Sequence, residues 1–118
     1  MLRFLIAFLR SFLYAFRGIE ELVRTQRNAR VHLLAVAVVV VAGLLLQLDR
    51  PEWLAVTVIC TLVLALEGVN TAIEAVVDLA SPQYHDLARR AKDVAAGAVL
   101  IAALGALIIA ALIVLPRL

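Results

Sequence analysis

The sequence predicts an all-α integral membrane protein of one domain, residues 1–118. It comprises an N-terminal amphipathic surface helix over about residues 1–28 and three transmembrane helices over about 31–48, 53–78 and 94–115. Composition is the first observation behind this. With 65% hydrophobic residues and a mean hydropathy of +1.06, a chain of 118 residues carries far more apolar surface than it could bury within itself, so the bilayer must act as its solvent. The second is that uncharged runs recur at the length a bilayer demands. The third is that the charges between those runs are unevenly divided, with basic residues on one side.

Each element follows in order. Arginines recur every seven residues from Arg3 through Arg10 and Arg17 to Arg24, while Leu2, Leu5, Ile6, Leu9, Leu13 and Phe16 supply an apolar face. That is the pattern of a helix lying in the membrane interface. The same arginines interrupt every stretch long enough to form the apolar core of a secretory signal peptide, which excludes that reading. Val31 to Leu48 is an uncharged run of 18 residues, about 27 Å as a helix and close to the hydrocarbon thickness. The turn Gln47-Leu48-Asp49-Arg50-Pro51-Glu52 follows, with Pro51 suited to the first turn of the next helix. From Trp53, an interfacial residue type, the uncharged stretch to Leu66 is too short to cross alone, so the second span continues through Glu67 to about Asp78. Ser81-Pro82 marks a break and a possible helix start, with Ser81 as N-cap and Pro82 in the first turn. Val94 to Leu115 supplies 22 uncharged residues for the third span. Within it Gly97, Ala98, Ala102, Ala103 and Gly105 are suited to close helix packing.

Six arginines precede the first span, and Arg89, Arg90 and Lys92 lie between the second and third. The positive-inside rule therefore places the N-terminus and the 78–93 loop in the cytoplasm. A formal net charge of +2 is too small for nucleic-acid binding. The single cysteine, Cys60, excludes an internal disulfide and a cysteine zinc cluster.

The chemistry is concentrated in Glu67 through Asp93, EGVNTAIEAVVDLASPQYHDLARRAKD. Ionisable groups inside a span are energetically costly and mark function by default. Glu67, Asn70, Thr71, Glu74 and Asp78 follow helical spacing and share one face. Carboxylates and an amide on one stripe, with a basic segment a short loop away, suit a metal-bound polyphosphate. Neither GxxxxGK[ST] nor GxGxxG occurs, so any nucleotide site is assembled from side chains. His32 and His85 do not form a zinc pair at helical spacing, and capping or interfacial roles fit both. Thr71 also suits interhelical hydrogen bonding, and Asp78 suits a helix cap or an interfacial anchor.

EGVNTAIEAVVDL followed by YHDLARRAKDVAAGAVLIA, and more loosely Tyr14 through RTQRNARVHL, resembles the small bacterial integral-membrane diacylglycerol kinase and undecaprenol kinase family. The resemblance implies a homotrimer of three-span subunits in the bacterial cytoplasmic (inner) membrane that transfers the γ-phosphoryl of MgATP to a lipid hydroxyl at the cytoplasmic interface. It matches Glu67 to the general base, Asn70 to its motif neighbour and Glu74 to a metal-binding carboxylate. Tyr14, Tyr84, His85, Lys92 and Asp93 match nucleotide-contacting positions, as does Gln83, where an acid also occurs in the family. General chemistry agrees, since a lipid alcohol needs a proton acceptor, Mg²⁺ needs hard oxygen ligands, and transferring phosphoryl oxygens need a cation such as Lys92. Two positions depart from the pattern. The second metal-ligand carboxylate of the family falls at Gln26, a neutral amide, which leaves metal stoichiometry open. A nucleotide-contacting arginine aligns with Ala7, between Arg3 and Arg10. RNARVHL resembles the undecaprenol kinase branch more than the diacylglycerol kinase branch. The alternative function is a small proton-coupled transporter with Glu67 or Glu74 as proton carrier; such a carrier has no need of Lys92-Asp93 beside Tyr84-His85.

Overall fold

Four α-helices make up the computed structural model, which describes residues 1–118. They are α1 (Leu2–Thr25), α2 (Arg27–Leu46), α3 (Arg50–Ala80) and α4 (Asp86–Val114), followed by a single 3-10 turn over Leu115–Arg117. The last three helices are long and apolar enough to cross a membrane. At 31 residues α3 exceeds the ~20 that a bilayer requires. Its C-terminal half, which bears the polar stripe, therefore extends toward the interface.

The helix boundaries have local causes. α1 and α2 are separated by one residue, Gln26, in an extended conformation (φ −104°, ψ 113°). Arg30 Nη1 reaches back to the carbonyls of Arg24 at 2.8 Å and Val23 at 3.2 Å, serving acceptors at a helix end that have no intrahelical partner. The first helix thus ends at Thr25 and the first span begins at Arg27, a few residues before the positions that hydropathy alone suggests. α2 closes on Gln47 in the left-handed region (φ 55°). Asp49 then opens α3 with a capping box: its carboxylate accepts from the Glu52 amide at 2.9 Å, and Glu52 accepts from the Asp49 amide at 3.0 Å. Pro51 sits in the first turn, as its fixed φ favours. Glu52 also receives both guanidinium nitrogens of Arg117 at 2.7 Å, tying the end of the chain to the start of α3.

The start of α4 corrects the expectation for Ser81 and Pro82. Ser81 ends α3, and its hydroxyl donates to the Gln83 carbonyl at 2.9 Å. His85, with extended backbone, is the N-cap instead, its Nδ1 accepting from the Leu87 amide at 3.1 Å. An imidazole nitrogen here does what a hydroxyl does at most N-caps. α4 therefore begins at Asp86, and its first turns carry Arg89, Arg90, Lys92 and Asp93 ahead of the apolar run.

α3 and α4 form the main helix pair, with α2 beside α3. Their shared interior is built from Val56, Val63, Ala95, Val99, Ala102 and Ile113, and small residues let the backbones approach. α1 rests on α2 and α3 and does not approach α4. Leu22 lies 3.5 Å from where a Cβ on Gly68 would stand, which marks the contact between α1 and α3.

Candidate active site

The polar stripe of α3 forms a gradient of burial. Glu67 is 3% exposed and Asn70 7% exposed, whereas Thr71 and Glu74 are half-buried and Asp78 is exposed. The gradient follows the helix from the interior of the bundle to the loop that joins α4. Thr71 Oγ1 donates to the Glu67 carbonyl at 2.9 Å, so it serves the helix backbone and not a neighbouring helix. Asn70 Nδ2 donates to Glu74 Oε1 at 3.3 Å, one turn along the same face. Asn70 Oδ1 is buried without a partner. Such an orphan acceptor is uncommon and is most simply matched by a ligand or water supplied from outside the chain.

The carboxylate of Glu67 receives no hydrogen bond from the chain, and the basic side chain nearest to it is His32 of α2, with Nε2 3.7 Å from Glu67 Oε2. The sequence alone suits His32 to a capping or interfacial role, because periodicity along one helix does not reveal which residue of another helix lies opposite. A histidine within an otherwise apolar run was the available signal.

A second group lies at the junction of α3 and α4. Gln83, Tyr84, His85, Lys92 and Asp93 line one cavity of about 300 Å³ together with Asp78. Lys92 is ion-paired with Asp78, joining the end of the α3 stripe to the first turns of α4. Arg89, which also lines the cavity, bridges Asp86 at 3.0 Å and Asp93 at 2.8 Å. The nucleotide-matched residues of the loop and α4 are therefore brought together. Tyr14 is not among them: it is exposed on α1, beneath the Arg17 guanidinium at 5.7 Å, and α1 does not reach α4 within the chain. Gln26 lies at the break between α1 and α2, with Nε2 3.2 Å from Thr25 Oγ1.

No group of three or more His, Cys, Asp or Glu side chains is assembled to hold a metal. Mg²⁺ commonly takes only about one or two carboxylates and completes its shell with water and substrate phosphates. Glu74 has the donor type, and Asn70 orients it from a second position on the same face.

A third feature is an apolar groove of about 690 Å³ between α1, α2 and α3, lined by Leu22, Ala29, Leu33, Leu64, Gly68 and Thr71 among others. It runs beside the helix segment that carries Glu67.

Comparison with known proteins places this chain in a family. Residues 13–114 match the model for prokaryotic diacylglycerol kinase. The chain is 44% identical to undecaprenol kinase of Bacillus subtilis over 111 residues, covering 94% of this chain and 90% of that protein. It is 45% identical to a diacylglycerol kinase of Synechocystis over 109 residues, covering 92% of this chain and 62% of that longer protein. With the diacylglycerol kinase of Escherichia coli K12 it shares 36% identity over 95 residues, 80% of this chain and 78% of that one. The buried carboxylate stripe and the cation-bearing loop cavity are thus set in a frame shared along nearly the whole chain, and the protein belongs to the prokaryotic diacylglycerol kinase family of membrane lipid kinases.

Proposed function

We propose that this lipid kinase transfers the γ-phosphoryl of MgATP to the hydroxyl of a lipid alcohol, undecaprenol or diacylglycerol, with Glu67 as general base. The observation that carries the reading is the continuity of two sites. The Glu67–Asn70–Glu74 face, buried at Glu67 and Asn70, leads through Asp78 and Lys92 to the cavity lined by Gln83, Tyr84, His85 and Asp93.

In this scheme the lipid tail occupies the apolar groove between α1, α2 and α3, whose lining residues Leu64, Gly68 and Thr71 lie on the same turns of α3 as Glu67, and its hydroxyl reaches from there to the Glu67 carboxylate. Glu67 accepts the hydroxyl proton as the alcohol oxygen bonds to the γ-phosphorus, and the bond to the β–γ bridging oxygen breaks, leaving ADP. Lys92 exchanges Asp78 for the phosphates and balances their charge. Tyr84, His85, Gln83 and Asp93 position the nucleotide, and Asn70 keeps the Glu74 carboxylate oriented. Mg²⁺, when bound at Glu74, would polarise the phosphoryl oxygens. Gln26 offers it at most a neutral carbonyl oxygen.

The basic N-terminal segment and the 78–93 loop face the cytoplasm in this reading, so ATP has access to the loop cavity, and α1 lies on the inner-membrane surface with Tyr14 available to the nucleotide. Tyr14 and α4 do not meet within one chain, and Asp78 and Glu74 are incompletely covered, which supports a homotrimer that completes the site between subunits. Crosslinking in mild detergent is expected to trap a trimer; a monomer with full activity would refute the assembly.

The test of function is phosphoryl transfer from labelled ATP by purified protein, assayed against undecaprenol and diacylglycerol separately. The phosphorylated lipid identifies the substrate. Glu67→Gln is expected to reduce turnover by about a hundredfold or more, the scale of a positioned base, with helices and assembly intact. Near-normal turnover in that variant removes Glu67 from the role.

A further inference from the structure

The buried carboxylate of Glu67 has an ionisable neighbour on another helix. His32 comes from a different helix, α2, within an apolar run that has no other ionisable side chain before Asp49. Its Nε2 stands 3.7 Å from Glu67 Oε2, and the two side chains are 24% and 4% exposed. No Lys or Arg nitrogen lies within 4.0 Å of Glu67, and no hydrogen bond to its carboxylate is formed from any other residue. A carboxylate this deeply placed and otherwise unsupported has no fixed orientation, since rotation about its terminal torsion exchanges its two oxygens at little energetic cost.

We propose that His32 is the positioning residue for the base: its Nε2–H donates to Glu67 Oε2 in the loaded enzyme and aims Oε1 at the lipid hydroxyl. The inference rests on Glu67 being the base. A separation of 3.7 Å is longer than the roughly 2.7–3.2 Å of a formed N–H···O bond. Catalytic hydrogen bonds are often long before substrate binds and tighten when it does. The arrangement follows the general logic in which a catalytic side chain is held by a second group that does not itself touch the reacting atoms. It also assigns a purpose to an ionisable group in a span, where a residue with no task is disfavoured. The other polar members of the stripe cannot substitute: Asn70 is engaged with Glu74, and Thr71 with the Glu67 main-chain carbonyl.

The test compares His32→Ala, His32→Gln and His32→Leu, each assayed for kcat and for KM of both ATP and lipid. His32→Ala and His32→Leu are expected to lose about tenfold or more in kcat, part of the ~100-fold contribution of a positioned base, with both KM values within twofold. His32→Gln retains an N–H donor near the position of Nε2 and is expected to recover most of that loss. If His32→Ala fails to assemble, His32→Leu, of a residue type the span already uses, takes its place. Unchanged kcat in the Leu variant overturns the proposal. A Gln variant no better than Leu, or a rise in lipid KM at constant kcat, also overturns it, the first marking a packing residue and the second a lipid contact. A double-mutant cycle separates this inference from the assignment of the base. In a Glu67→Gln background His32→Ala is expected to change the residual rate less than twofold, whereas a full additional loss would mean that His32 acts independently of Glu67. A Glu67→Gln enzyme with near-normal turnover sinks both ideas, while an inactive Glu67→Gln beside a fully active His32→Leu sinks only this one.

Discussion

Replacing Asn70 by leucine separates catalysis from stability at the centre of the stripe. Asn70 is 7% exposed, gives one hydrogen bond to Glu74 Oε1 at 3.3 Å, and leaves Oδ1 buried without a partner. A hydrogen bond to a charged group contributes about 1.5–3 kcal/mol, and the long contact and half-buried carboxylate place this one at the lower end. About 1.5 kcal/mol corresponds to roughly tenfold in an equilibrium constant, in line with the ~10–100-fold loss of metal affinity seen when a group that orients a metal ligand is removed. Asn70→Leu is therefore expected to raise the Mg²⁺ requirement of the kinase about tenfold. Removing an unpaired polar atom and adding apolar surface in a span does not weaken the fold, so the thermal midpoint in detergent is expected to hold or rise. The assay is a Mg²⁺ titration of phosphoryl transfer at saturating lipid and ATP, run beside a thermal melt of the same preparation. An unshifted Mg²⁺ curve with full activity would refute the coupling of Asn70 to Glu74 as the proposed Mg²⁺ ligand. A large fall in the midpoint would show instead that Asn70 serves packing.

Two further substitutions probe the loop cavity and the opposite turn. Lys92→Arg preserves the charge and hence the membrane orientation, but the planar guanidinium does not reproduce a compact ammonium on phosphate. Turnover is expected to fall roughly tenfold to a hundredfold, and full activity would mean that Lys92 serves only orientation. At Gly43, a Cβ would stand 2.6 Å from Trp53 Cη2 and 3.1 Å from Leu48 Cδ1, so the indole ring must shift. Gly43→Ala is expected to destabilise by about 1–3 kcal/mol with kinase activity at low temperature preserved, because the turn lies away from the polar half of α3; an unchanged thermal midpoint would refute the close fit.

The sequence by itself determined what depends on short spacing. Two uncharged runs long enough to cross, and between them a shorter one that must continue through Glu67, define three spans because bilayer thickness sets a minimum apolar length. The common face of Glu67, Asn70, Glu74 and Asp78 follows from the helical repeat alone, and the density of that motif indicated the family. The break at Gln26 and the start of α4 at Asp86 were less legible, since each depends on a side chain reaching a particular backbone group: Arg30 to the end of α1, and His85 Nδ1 to the Leu87 amide. Only the tertiary structure decided the pairings between distant segments. Arg117 could have met any acid near its end of the bundle, yet it grips Glu52, and Lys92 meets Asp78 across the α3–α4 loop. His32 lies opposite Glu67 because the rotation of α2 about its own axis is set by how it packs on α3. That rotation leaves little trace in a run where nearly every residue is apolar.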